Sequence, residues 1–91
     1  MLTYEDCVGL TDLDEEDIEA IAQHEHMPEI VAAELGCCLV HQPGGEMIID
    51  RIIREDIETA NRHHHPLEVM HWQAVLQRFE ASHHILERKA A

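Results

Sequence analysis

Ile30-Val31-Ala32-Ala33-Glu34-Leu35-Gly36-Cys37-Cys38-Leu39-Val40, followed directly by His41, is the stretch on which the fold turns. Glu34 is its only charged side chain. Wound as a helix, it has Ala32, Leu35, Gly36 and Leu39 on one side and Ile30, Val31 and the two cysteines on the other, so no single inner face emerges. A helix apolar on nearly all sides is central or sits at a subunit contact. Gly36 would let a neighbouring helix come close. The same helix places Glu34, Cys37, Cys38 and His41 at i, i+3, i+4 and i+7, within an arc of roughly 100°. A carboxylate, two thiols and an imidazole on one face are ligands for zinc or iron, or else a core stripe with polar ends.

Outward from this stretch the chain reads as helices joined by short turns. Towards the N-terminus, Asp14 is a helix cap, Glu15, Glu16 and Asp17 fill a first turn where the helix dipole favours acid, and Leu13 can staple onto Ile18. Ile18, Ile21 and Ala22 form the inner face of that helix. It ends near Glu25, because Pro28 disfavours helical geometry at Met27. Pro28 then starts the helix carrying the opening stretch, which Gln42-Pro43-Gly44-Gly45 closes. A short helix is expected over Thr3 to Gly9.

Towards the C-terminus, Glu46 to about Arg62 is plainly amphipathic. Ile48, Ile49, Ile52, Ile53, Ile57 and Ala60 face inward, and Asp50, Arg51, Arg54, Glu55 and Glu58 face outward. After His63-His64-His65, Pro66 starts a last helix whose apolar stripe is Val69, Trp72, Val75, Leu76, Phe79 and Leu86, with His83 on the stripe. The expected fold is all-α: a small antiparallel bundle of four main helices plus a short N-terminal helix, packed around the Pro28–His41 helix. Residues 1–91 form a single helical domain in this reading, with residues 86–91 frayed.

Composition narrows the function. Nineteen acidic against six basic residues give a formal charge of −13. Such a surface repels phosphate backbones, so nucleic acid is excluded as a partner and a basic protein partner is favoured. The longest apolar run is too short, and too interrupted by Glu34, to cross a bilayer of ~30 Å, so no membrane association is expected. Three cysteines, two of them adjacent, make no disulfide framework, and no charged-then-apolar leader is evident. The protein reads as cytoplasmic. Nine histidines are the second anomaly; their titration would offset most of the negative charge between about pH 5 and 7.

Several constellations carry potential chemistry. Consecutive ligands on one helix cannot all reach one ion at zinc distances of about 2.0–2.3 Å, so Cys38 with His41, or Glu34 with Cys38, would need help from another helix. His24 and His26 would point about 200° apart on a continuous helix and converge only if the helix ends between them, which Pro28 makes feasible. Glu68 with His71, and Glu80 with His83, have the Glu-x-x-His spacing of carboxylate di-iron bundles, but the two pairs lie about 18 Å apart on one helix and cannot share a site within one chain. Cys38 and His41 as a nucleophile pair lack an oxyanion device, so no catalytic residue is assigned. His63-His64-His65 is read as a solvated turn.

Ile21-Ala22-Gln23-His24-Glu25-His26-Met27-Pro28-Glu29-Ile30-Val31-Ala32-Ala33-Glu34-Leu35-Gly36 resembles a segment of short helical proteins of proteobacteria. The resemblance implies a bacterial cytosolic origin and brings no catalytic residue with it. In those proteins other residues often hold the two cysteine positions, which implies that Cys37 and Cys38 are not an obligate metal pair.

The expected function is a non-enzymatic protein–protein interaction or regulatory module, acting through its acidic surface on a basic partner. The alternative is a zinc- or iron-binding protein with His24, His26, Glu34, Cys38 and His41 as ligands. A homodimer is expected in either case, through the Pro28–His41 helix or the last one.

Overall fold

A computed structural model describes residues 13–85. Among the described residues the chain is all-helical, with no strand: α1 Glu15–Glu25, α2 Glu29–Val40, α3 Gly45–Arg62 and α4 Pro66–Ser82. The expected Thr3–Gly9 helix and the frayed tail at 86–91, with Leu86, lie outside the described residues. None of the described helices is long and apolar enough to cross a membrane.

Each helix starts and stops for local reasons. At α1 the Asp14 side chain accepts from the Asp17 amide at 2.9 Å, and the Asp17 carboxylate accepts from the Asp14 amide at 3.1 Å, so two donors left open by the helix start are satisfied reciprocally. Leu13 and Ile18 are both buried, as a staple requires. At its other end His26 takes the left-handed conformation, φ 55°, and the Met27 amide reaches back to the Ala22 carbonyl at 3.1 Å. That backward bond closes the helix and turns the chain towards Pro28. Pro28 is the cap of α2, its carbonyl accepting from the Val31 and Ala32 amides.

The hub of the fold is α3, which corrects the expectation that the Pro28–His41 helix is central. α3 packs on α1, α2 and α4, most extensively on α4, whereas α2 packs substantially only on α1 and α3. The reason lies in side-chain size. α2 buries a face of small residues, Ala32, Ala33 and Gly36 with Leu39, and leaves Ile30 and Val31 more than two-fifths exposed. α3 contributes Ile49, Ile52 and Ile53 to a core that also holds Ile18, Ile21, Trp72, Val75, Phe79 and Ile85. A long aliphatic stripe removes more apolar area from water than a stripe of alanines, so it takes the middle. Ile48, expected inward, is 37% exposed.

Acidic residues inside the core are the second departure from the sequence reading. Asp50, expected to face water, is 2% exposed and accepts from the Arg54 side chain at 2.9 Å. Arg54 also donates to Glu80 of α4 at 2.7 Å, and His83, which caps the C-terminus of α4, comes within 3.8 Å of Glu46 at the start of α3. His83 is buried on the apolar stripe, as expected, and stacks on Phe79 at 4.3 Å between ring centroids.

Two glycines set how tightly the helices meet. Among the described residues a Cβ on Gly36 would meet the ends of Leu13 and Ile21, at 2.8 and 3.2 Å, and those side chains can move. A Cβ on Gly45 would lie 1.6 Å from the Leu39 carbonyl oxygen, so the α2–α3 turn closes only around a bare glycine. Gly45→Ala is therefore expected to cost about 3 kcal/mol, a fall of roughly 12–24 °C in melting temperature. Gly36→Ala should cost under about 1 kcal/mol after the helix-propensity gain. Parallel thermal melts check the contrast, and equal losses would contradict it.

Candidate binding cleft

The last turn of α1 and the C-terminal half of α3 enclose a cleft of about 370 Å³ lined by Gln23, His24, His26, Glu55, Asp56, Glu58, Thr59 and Arg62. The local sequence explains how it opens. Because α1 stops at Glu25, His26 leaves the helical screw, and both His24 and His26 line the same cleft despite being two residues apart. On the α3 side, Glu55 and Asp56 sit on one turn while Glu58, Thr59 and Arg62 follow on the next. Two helix C-terminal turns thus border the cleft, and each carries the partial negative charge of its open carbonyls.

The His24 ring is clamped by acid. Its Nε2 lies 2.6 Å from Glu55 Oε1 and its Nδ1 lies 3.7 Å from Glu25 Oε1. Asp56 is the more unusual group. It is 3% exposed, and its Oδ2 is buried without a hydrogen-bond partner. Burial pushes its carboxyl up to about 7, the positive charge of His24 opposes the shift, and the Glu55 carboxylate adds to it. Among the described residues the only Lys or Arg lining the cleft is Arg62, which donates to Thr59 Oγ1 at 3.3 Å. The cleft is accordingly a strongly acidic environment: carboxylates, two negative helix ends and one carboxyl stripped of water.

The five expected metal ligands divide into two groups. His24 and His26 come together here. Glu34, Cys38 and His41 lie on the exposed side of α2, where Gln42 Nε2 donates to the Cys38 thiol at 3.3 Å and His41 Nδ1 bonds the Cys37 carbonyl at 2.7 Å. Among the described residues no group of three or more His, Cys, Asp or Glu side chains is arranged to hold a metal ion. The Glu-x-x-His histidines turn to other partners: His71 lies 3.6 Å from Glu16 and 3.8 Å from Glu19, and His83 faces Glu46.

Sequence reasoning missed Asp56, although a signal was present. Ile49, Ile53, Asp56 and Ala60 stand at i, i+4, i+7 and i+11, so the aspartate occupies a core position of the same stripe. A charged residue at such a position is the observation to seize on. No family model, no curated protein and no solved structure matches the chain.

The buried acids give a pH dependence of definite sign. Asp17 is likewise pushed up by burial, to about 6, against the pull of the Asp14 amide. Both carboxyls hold a proton more tightly in the folded chain than at the ordinary value of 3.8. Their contribution to stability is complete below about pH 4 and is lost as the pH rises through the folded values towards 7. Urea denaturation should show greater stability at pH 5 than at pH 8. Asp56→Asn, which keeps the shape without the charge, should add about 1–3 kcal/mol at pH 8 and little at pH 5. An equal effect at both pH values would contradict this account.

Proposed function

We propose that the protein is a small non-enzymatic interaction module that receives a basic segment of a protein partner at the α1–α3 cleft. The observation that carries this reading is the Asp56 carboxyl, buried and with Oδ2 unbonded at a cleft lined by further acid. A desolvated carboxyl costs the folded chain free energy, and a lysine or arginine side chain entering the cleft would supply the missing donor and the opposite charge. Binding would then stabilise the ionised form of Asp56 and draw its proton off. The formal charge of −13 supports the same class of partner, because it accelerates encounter with a basic segment over the whole surface.

The frame that presents the cleft is, in this reading, an antiparallel bundle. Its support is the pairing of early residues on one helix with late residues on another: Glu16 of α1 with Arg78 of α4, and Glu46 of α3 with His83 at the end of α4. The α1–α2 and α3–α4 connections are only three residues each, as neighbouring antiparallel helices require.

Titration with a short lysine- and arginine-rich peptide at pH 8, followed by amide chemical shifts, tests the proposal. The expected result is saturable binding that moves the His24, Glu55 and Thr59 amides, weakens with salt, and falls about tenfold on Asp56→Asn. Binding that moves amides over the whole surface alike, or is unchanged in Asp56→Asn, would reduce the effect to non-specific charge and defeat the proposal.

A further inference from the structure

α4 has two apolar faces, and the core uses only one. Trp72, Val75 and Phe79 are buried. On the opposite side Leu67 is 80% exposed and Met70 65%, and Ala74, Gln77 and Ala81 continue the line in the exposed class. The spacing of Leu67, Met70, Ala74, Gln77 and Ala81 is three, four, three, four, the seam of a helix that pairs with another helix. With Trp72 and Phe79 on the side away from the seam and fully enclosed, the outward residues are no by-product of a slipped register.

We infer that the outward face of α4 is a self-docking surface, on which the α4 of a second copy of this chain lies antiparallel with the two-fold axis at Ala74. Charge selects this occupant. Two molecules of formal charge −13 repel each other over most of their surfaces. The seam bears no charged residue at all, and neither does Gln73 beside it. A strip that is neutral on so acidic a protein is the place where a second copy can approach at least cost.

The flanks of the seam complete the match. On the side bordering α1, Arg78 is half exposed and bonded to Glu16, while His71 lies two turns earlier beside Glu19. An axis at Ala74 sets residue 74+k against residue 74−k, so Arg78 falls opposite the partner's Met70, one residue along from the partner's His71 and within side-chain reach of the partner's Glu19 beside it. Each copy then gives one cation and receives one anion, twice over by symmetry. Along the seam Leu67 meets the partner's Ala81, large against small, and the alanine at the axis lets the two backbones come close. A pair of helices about 25 Å long covers less than the 1,200–2,000 Å² of a standard stable interface, so the dimer is a dissociating one with Kd on the order of tens to hundreds of micromolar.

Sedimentation equilibrium of the full chain from about 5 to about 500 µM reads this directly. The expected result is a monomer–dimer equilibrium that Ala74→Glu weakens about tenfold or more, with helix content by circular dichroism unchanged because the residue is exposed. Leu67→Asn, at the most exposed position of the seam, should weaken it as well. Glu19→Arg and Arg78→Glu should each weaken the dimer singly and restore it together. A monomer throughout the range would overturn the inference, as it would if the strip were covered by the chain's own terminal residues or reserved for a different protein. A dimer indifferent to both Ala74→Glu and Leu67→Asn would overturn it too, by moving the contact to another face.

Discussion

Ile49, Ile52 and Ile53 of α3 and Trp72, Val75 and Phe79 of α4 share one core, and every other helix position follows from that contact. Each of these side chains contributes about 1.5–3 kcal/mol by leaving water, so six of them exceed what any surface pairing on this chain supplies. α1 lies where Ile18 and Ile21 can join the same cluster, and α2 closes over α1 and α3 with little more than methyl groups. The consequence for function is positional. The α3–α4 contact fixes the C-terminal half of α3, and that half forms one wall of the cleft.

Against that apolar frame the buried acids fall into two kinds. Asp50 and Glu80 share the Arg54 guanidinium, and the Glu80 carboxyl is raised first by its hydrogen bond with Asp50 and then by burial. Their desolvation is offset by bonds that cross from α3 to α4, so this group specifies how the two helices sit. Asp56 Oδ2, like Asp17 Oδ1, is buried with no hydrogen-bond partner among the described residues. A buried polar atom left unbonded is destabilising by about 1–3 kcal/mol, so this carboxyl weakens the folded chain where the Arg54 group holds it together.

Much of the frame was legible in the sequence, for identifiable reasons. Asp14, Pro28 and the Gln42–Gly45 turn act through local backbone chemistry, and local chemistry reads directly from residue types. The amphipathic stripes of α3 and α4 were legible because large aliphatic and aromatic side chains repeat at helical spacing. The interior of α2 was not. With apolar residues on both sides, nothing in the sequence says that the alanine face wins, and so nothing says that Glu34, Cys38 and His41 face water. That outcome is a matter of how closely two helices approach, decided above all by the bare Gly45 at the α2–α3 turn. The cleft itself was half legible: Pro28 pointed to the convergence of His24 and His26, but the opposite wall is thirty residues away along the chain. Histidine richness also finds a structural meaning that composition could not disclose, since His26, His64 and His84 all adopt positive φ just beyond helix ends. An imidazole there sits by the negative pole of a helix and tolerates the left-handed backbone better than a branched side chain.

The cleft and the α4 seam answer one electrostatic problem in opposite ways. A protein of charge −13 attracts cationic groups everywhere, yet attraction in water and salt holds nothing in place, because exposed charges a Debye length apart barely interact. Retention needs a group whose charge is not screened, and among the cleft residues the desolvated carboxyl of Asp56 is that group. For a second copy the same charge is a barrier, and that barrier is lowest over the strip where charge is missing. Placing the neutral strip on α4 and the acid cleft between α1 and α3 keeps the two surfaces on different elements, so occupying one does not consume the other. A dimer formed across Ala74 would therefore present two clefts on one body, and a partner carrying two basic segments would gain in apparent affinity without any new contact.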